Sequence, residues 1–278
     1  MSSQQKQINA LVSLLGDEDI NIRRVARNRL KAFGAPALNV LNEVVYSDSE
    51  GRIRIEAKSI LEEIRISSLL AKFERLQEKE IFDLEAAVLL LDQVAYPDLD
   101  SEDIAAKLDQ LAESAGELIA NIKDSIKRVE FFNHYFFVKQ GFKGNRDAYY
   151  DPQNSYINCV LERKTGIPIS LSVVYMFVAR RLDLPIFGVC FPGHFLLKYV
   201  SGNKLFFIDA FNGGLILSIQ DCERFSQRMG FELKRSHLKT ATPDKIFSRI
   251  LRNLIKIYQQ QDDQHMLTNL KEIFYDFI

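Results

Sequence analysis

The chain has few of the features that mark secreted or membrane-bound proteins. It contains only three cysteines in 278 residues, an odd number without paired spacing, which fits a reducing cytoplasm better than a disulfide framework. No uncharged apolar stretch approaches the roughly 20 residues that span a bilayer. The sequence also opens without the basic segment and apolar core of a signal peptide. We therefore expect a cytoplasmic protein that does not enter a membrane.

An excess of charge of either sign is also lacking. The 36 basic and 37 acidic residues leave a net charge of −1, which removes the attraction expected of a general nucleic-acid or anionic-membrane binder. The sequence has no Gly-rich phosphate loop and no His-Glu-x-x-His motif, and its four histidines lie far apart. It therefore predicts no nucleic-acid partner, no metal site and no cofactor.

The N-terminal part carries an internal repeat. The pattern Ile-Arg-x-x-Ala-x-x-x-Leu occurs at residues 22–30 and again at residues 53–61, and a turn with acidic residues precedes each copy. Short polar side chains in such turns cap the helix that follows, so each unit is predicted to form helix, turn, helix. Residues 1–66 thus resemble HEAT repeats, and we expect Ala26 and Ala57 to be buried at equivalent helix contacts.

The character of the sequence changes at residue 141. Residues 67–140 keep a helical periodicity, and a loop rich in Gly, Asn and Pro follows over residues 141–155. Loops of this length inside compact domains are often functional. We expect Asn154 or Ser155 to cap a short helix that ends near Lys164.

The segment after this loop predicts a helix and a sheet. Pro168 fits the first turn of a helix that runs to Leu182, and the apolar centre of this helix predicts that it is buried. Alternating apolar residues predict antiparallel strands at residues 186–190, 194–200 and 205–209. Residues 241–278 predict a helical pair. The expected fold class is α+β, with helical regions at both ends and a helix packed on an antiparallel sheet between them.

Three residues in this segment have the chain order of papain-like acyl-transfer sites. Ser170 lies near a helix N-terminus, His194 at the predicted start of a strand, and Asp209 at the end of the next strand. In such sites the helix dipole favours an anionic nucleophile, the His takes its proton, and the carboxylate orients the His. A two- or four-residue connection near Gly202 would bring His194 and Asp209 onto one face. The alternative is that His194 is a structural histidine with its hydrogen bonds satisfied.

These residues belong to five motifs in a fixed order. They are GFKGN at 141–145, YDPQNSYIN at 150–158, GIPISLS at 166–172, PGHFL at 192–196 and IDAFNGG at 208–214. Together they resemble the SirB-type family of bacterial transglutaminase-like proteins, over roughly residues 82–236. The resemblance implies a papain/transglutaminase-like core within residues 67–240 and tetratricopeptide-like helices over residues 241–278. It also implies binding residues within the motifs, which are Tyr150, Asn154, Asn158, Gly193 and Asn212.

The resemblance places the family's catalytic cysteine around residues 168–170, where this chain has proline, isoleucine and serine. A serine hydroxyl is a much poorer nucleophile than a thiol. The sequence therefore favours a non-catalytic or weakly catalytic domain that acts in protein interaction or regulation, with another protein or peptide as its partner. The alternative is an active papain-like enzyme of acyl transfer or amide hydrolysis. It would use His194 and Asp209, with Ser170, Cys159 or Cys190 as nucleophile.

Overall fold

The computed structural model describes residues 3–47 and 50–275. The chain divides into two compact units, residues 1–72 and residues 73–278. The α-helices are α1 Ser3–Ser13, α2 Ile20–Phe33, α3 Ala35–Val45, α4 Gly51–Gln77, α5 Leu84–Ala95, α6 Ser101–Ile119, α7 Ser125–Asn133, α8 Ile157–Arg163, α9 Pro168–Arg181, α10 Ile219–Arg228, α11 Pro243–Gln260 and α12 Gln264–Tyr275. The strands are β1 Lys143–Gly144, β2 Thr165–Gly166, β3 Ile186–Val189, β4 Leu196–Ser201, β5 Lys204–Asp209 and β6 Leu215–Leu217. The fold class is α+β, as predicted.

The first unit is helical and buries both repeat alanines. Asp19 in the first acidic turn caps α2, because its carboxylate accepts a hydrogen bond from the amide of Asn21 at 2.8 Å. The second predicted capping turn includes residues 48 and 49, which lie outside the described residues. Ala26 on α2 and Ala57 on α4 have no exposed surface. Burial of the two alanines is therefore confirmed.

The second unit is organised around α9 and an antiparallel sheet of strand order β3-β4-β5-β6. Helix α9 begins at Pro168, and most of its side chains are buried, with Val174 fully so. It contacts β3 and β4. A separate parallel pair, β1 with β2, joins the loop after residue 140 to the segment just before α9. The prediction of a buried helix packed on an antiparallel sheet is thus confirmed.

The hairpin between β4 and β5 has the shortest of the expected connections. Ser201 pairs with Lys204, so Gly202 and Asn203 form a two-residue loop. Gly202 has a φ of +55°, which glycine adopts at little cost. Such a connection preserves the register that we expected to bring His194 and Asp209 together.

His194 lies in a turn, and the prediction that it begins a strand was wrong. Strand β4 begins at Leu196. Pro192 has no amide hydrogen to offer a sheet, Gly193 has a φ of +69°, and the His194 amide donates to the carbonyl of Phe191 at 3.1 Å. Strand β6 and helix α10, which complete this side of the sheet, were not predicted from the sequence.

Neither Asn154 nor Ser155 caps α8, so that prediction was also wrong. The amides of Ile157 and Asn158 donate instead to the carboxylate of Asp92 on α5, at 3.0 and 2.8 Å. Two helices, α11 and α12, follow the sheet, and the end of the second predicted C-terminal helix, residues 276–278, lies outside the described residues. No helix within the described ranges is both long and apolar enough to cross a membrane.

Candidate functional site

His194 and Asp209 form a buried pair at one end of the sheet. The Nε2 atom of His194 lies 3.0 Å from Oδ1 of Asp209. The two residues are 8% and 3% exposed. The turn at Gly193 and the end of β5 therefore bring together the two residues that the sequence predicted to be neighbours.

Asp209 is held as a carboxylate. Burial raises its pKa, but the hydrogen bonds from His194 and Asn212 outweigh that effect, so the pKa is lowered overall. The amides of Phe211 and Asn212 donate to Oδ1 at 3.1 and 3.2 Å, and the Asn212 side chain donates to Oδ2 at 2.7 Å. Because an ionised carboxylate only accepts hydrogen bonds, the shared proton belongs to Nε2 of His194. A neutral His194 ring then carries its free lone pair on Nδ1.

A cavity of about 270 Å³ opens beside His194. One wall is the start of α9, at Ile167, Pro168 and Ile169. Other walls come from Tyr149 and Tyr150 of the loop over residues 141–155 and from α11. Loop, turn and helix segments from well-separated parts of the sequence therefore surround one space next to the imidazole.

Ser170 is fully buried and its hydroxyl is used elsewhere. It donates to the backbone carbonyl of Asn154 at 2.5 Å and accepts from the amide of Ile167 at 3.1 Å. No hydrogen bond joins it to His194 within the described chain. Ser170 therefore connects the first turn of α9 to the preceding loop, while its neighbours Pro168 and Ile169 line the cavity.

A family model matches the part of the sequence that contains this helix start, histidine and carboxylate. Residues 102–252 match the model described as "Transglutaminase-like superfamily". The chain belongs to the transglutaminase-like superfamily. The match covers α6 to the middle of α11, and so includes both His194 and Asp209.

Several curated proteins are similar to this chain. A UPF0162 protein of Xylella fastidiosa strain Temecula1 is 38% identical over 195 residues, which cover 66% of this chain and 68% of the relative. A UPF0162 protein of Vibrio cholerae is 30% identical over 141 residues, covering 50% of this chain and 52% of the relative. The human protein named F-box only protein 21 is 30% identical over 238 residues, covering 74% of this chain and 37% of that protein. No solved structure gave a significant match.

The cysteines of this transglutaminase-like chain have few properties of an activated nucleophile. Burial raises the pKa of Cys222 to about 12. Burial also raises the pKa of Cys159, whose Sγ donates to the Tyr96 hydroxyl at 3.1 Å. Cys190 is partly exposed just after β3. The described lining of the cavity includes none of these three thiols.

The five predicted binding residues have different positions. Tyr150 and Gly193 line the cavity. Asn212 supports Asp209, and the Asn158 amide donates to Asp92. Asn154 is fully buried, and its side chain donates to the carbonyl of Ala148 at 2.7 Å and accepts from Asn145 at 3.0 Å. Asn154 therefore fixes the conformation of the loop that carries Tyr150.

Four polar residues that line the cavity were not predicted from the sequence: Tyr149, Arg249, Asn253 and Lys256. The Arg249 guanidinium donates to the carbonyls of His194 at 2.7 Å and Phe191 at 3.1 Å. The available signal was the polar stripe of α11, where residues 249, 253 and 256 recur at helical spacing. Across residues 3–47 and 50–275, no group of three or more His, Cys, Asp or Glu side chains is arranged to hold a metal ion.

Proposed function

We propose that this chain is a SirB-type transglutaminase-like protein that binds a segment of another protein beside His194 and Asp209, with little or no acyl-transfer activity of its own. The observation that carries the proposal is the composition of the first turn of α9. Acyl transfer needs a nucleophile that faces the base, here His194. The residues of this turn that line the cavity are Pro168 and Ile169, and neither has a nucleophilic side chain.

The chemistry of the remaining candidates supports a non-catalytic role. The thiolate is the reactive form of cysteine, and the pKa values of Cys159 and Cys222 are raised, which makes their thiolates scarce at neutral pH. Cys190, the other candidate thiol, is not among the described residues that line the cavity. The Ser170 hydroxyl donates its hydrogen to a backbone carbonyl rather than to an imidazole. The His194–Asp209 pair then serves to shape the cavity and to offer a hydrogen-bond acceptor.

The rim of the cavity has the character of an interaction surface. Tyr149 and Tyr150 are 37% and 53% exposed, and tyrosine is enriched at protein interfaces because it combines an apolar ring with a polar hydroxyl. Asn154 and Ser170 hold the loop and the helix start in fixed positions. A pre-ordered site of this kind binds a peptide with little loss of conformational entropy.

The proposal extends to the flanking helices. We assign residues 1–66 as a HEAT-like helical pair, residues 67–240 as the transglutaminase-like domain and residues 241–278 as a tetratricopeptide-like helix pair. Helical repeats commonly provide extended binding surfaces, so this organisation agrees with a role in protein interaction.

Selection of binding peptides tests this proposal. Random peptides displayed on phage are selected against the full chain, and binding of the recovered peptides is measured before and after alkylation of the cysteines. We expect peptides whose binding survives alkylation and is lost in Tyr150→Ala. The control is Tyr275→Ala, since Tyr275 is an exposed tyrosine that is 73% accessible and lies outside the cavity. Failure to recover any peptide that depends on Tyr150 would overturn the proposal.

A further inference from the structure

Two basic side chains line the cavity beside His194. Arg249 and Lys256 both line it, and no aspartate or glutamate is among its described lining residues. Neither cation forms an ion pair with a carboxylate within residues 3–47 and 50–275.

Arg249 is fixed in position before any ligand binds. Two of its N–H groups donate to the backbone carbonyls of Phe191 and His194. An arginine side chain has five N–H donors, so several remain for a ligand. Because the guanidinium is already ordered, a ligand that uses it loses little side-chain entropy.

The second cation lies on the same face of the same helix. Lys256 follows Arg249 by two helical turns, and its ammonium lies 6.0 Å from the centre of the Tyr150 ring. The beginning of α9 forms another wall, and the positive end of a helix dipole favours an anion. Charge from three sources therefore converges on one cavity.

His194 adds a hydrogen-bond acceptor to a cavity whose other polar groups include two cations. Its Nε2 donates to Asp209, so in the neutral form of the ring the Nδ1 lone pair is an acceptor. Nδ1 has no hydrogen-bond partner among the described residues. A ligand that offers an N–H donor together with a negative group matches both parts of the cavity, and a peptide with a carboxylate has this combination.

The size of the cavity narrows the ligand class. At about 270 Å³ it falls just below the range of roughly 300 to 1,000 Å³ that is usual for pockets of drug-sized ligands. It accommodates a side chain or a chain terminus. Two cations and one helix end suit a single carboxylate.

On the basis of the proposed function, we infer that the cavity binds a carboxylate group of the partner peptide. Arg249 and Lys256 would bind the carboxylate, and Nδ1 of His194 would accept an N–H of the peptide backbone. The carboxylate comes from an acidic side chain or from a free C-terminus, and these two sources share the same chemistry.

Titration with short peptides tests this inference. The full chain is titrated with end-capped Ala-Glu-Ala, end-capped Ala-Gln-Ala, N-capped Ala-Ala-Ala with a free C-terminus, and inorganic phosphate, and binding is followed by the NMR signal of the His194 ring. We expect saturable binding of the glutamate peptide, of the free C-terminus or of both, and at least about 10-fold weaker binding of the glutamine peptide.

Variants connect the binding to the two cations. Lys256→Gln replaces an exposed side chain, so the variant should fold normally. It should weaken the binding of the carboxylate peptides by about 10-fold. Arg249→Gln should weaken them at least as much. Lys245→Gln, which removes an exposed lysine outside the cavity on the same helix, should leave binding unchanged.

Three results would overturn the inference. They are equal binding of the glutamine and glutamate peptides, displacement of the carboxylate peptides by phosphate at equal or lower concentration, and the absence of any saturable shift of the His194 signal. None of them affects the phage selection, which tests peptide binding without assuming a carboxylate. If the selected peptides lose binding in Tyr150→Ala but bind Lys256→Gln as tightly as wild type, the proposed function stands and the carboxylate inference is wrong.

Discussion

The carboxylate of Asp92 on α5 lies 2.8 Å from the amide nitrogen of Asn158, so one helix caps the beginning of another. Asp92 is 1% exposed. Its burial raises the pKa to about 8, even though hydrogen bonds from the amides of Asn158 and Ile157 lower it. An acid that is far less ionised in the folded protein than in the unfolded chain makes stability depend on pH.

The first prediction is that the contribution of Asp92 to the free energy of unfolding falls as the pH rises. The folded pKa of about 8 lies above the ordinary value of 3.8. Between these values the folded state holds a proton that the unfolded state has released, so rising pH favours unfolding. This group should lower the free energy of unfolding by about 1.4 kcal/mol per pH unit in that range. In urea titrations at pH 5 to 8, the stability of wild type relative to Asp92→Asn should therefore fall with pH.

Asp147→Asn is the control for this experiment, because Asp147 is exposed in the loop before α8. Its stability should follow that of wild type at every pH. Parallel curves for wild type and Asp92→Asn would show that Asp92 is ionised in the folded protein at all of these pH values, contrary to the prediction.

The second prediction concerns the centre of α9. Val174 is fully buried, so Val174→Asp places an unpaired carboxylate in an apolar site and should lower the free energy of unfolding by about 4 kcal/mol or more. Val174→Ala removes two methyl groups and should cost about 2 kcal/mol. Thermal unfolding followed by circular dichroism measures both. Equal melting temperatures for the two variants would contradict the prediction, because they would show that a charge at this position lowers the stability no more than the loss of two methyl groups.

The third prediction is that His194 activates none of the three cysteines. Burial raises the pKa of Cys159 and of Cys222, so iodoacetamide should alkylate both more slowly than a free thiol at neutral pH. None of the three rates should change in His194→Ala. Mass spectrometry of each cysteine against time, from pH 6 to 9, gives the rates. A thiol that reacts rapidly at neutral pH and slows in His194→Ala would instead support a cysteine-dependent enzyme.

The fourth prediction compares two glycines with positive φ. Gly193 has a φ of +69° and Gly202 a φ of +55°, so an alanine at either position should cost about 1 kcal/mol. A Cβ at Gly193 would lie 2.4 Å from Cε of Met229, whereas a Cβ at Gly202 meets nothing within 4 Å. Gly193→Ala should therefore also shift the NMR signal of the His194 ring, and Gly202→Ala should leave that signal unchanged. Similar shifts in both would argue against a specific role for the turn at Gly193.

Local patterns were sufficient to predict much of the fold. Pro168 and the apolar run behind it define the start and the burial of α9, since both depend on residues close in sequence. The hairpin loop at Gly202 likewise follows from turn chemistry. The alternation around Phe195 suggested a strand from His194, but the missing amide of Pro192 and the φ of Gly193 make that segment a turn.

Contacts between distant segments could not be predicted in this way. The cap of α8 comes from Asp92, 65 residues before Ile157, and no local signal connects them. The cations of the cavity come from α11, which follows the His194–Asp209 pair in the chain. Helical periodicity identifies the polar face of α11, but only the tertiary packing shows which surface that face meets.

The distribution of the cavity walls along the chain has a consequence for biosynthesis. A chain made on the ribosome from its N-terminus acquires the loop tyrosines first, then the start of α9, then His194 and Asp209, and only later Arg249 and Lys256. Because Arg249 donates to the carbonyls of Phe191 and His194, the turn that holds the imidazole lacks two hydrogen bonds until α11 emerges and docks. The positive charge of the site is thus the last part of it to be synthesised, and a nascent chain that ends before α11 carries the buried pair without the residues that would attract an acidic peptide.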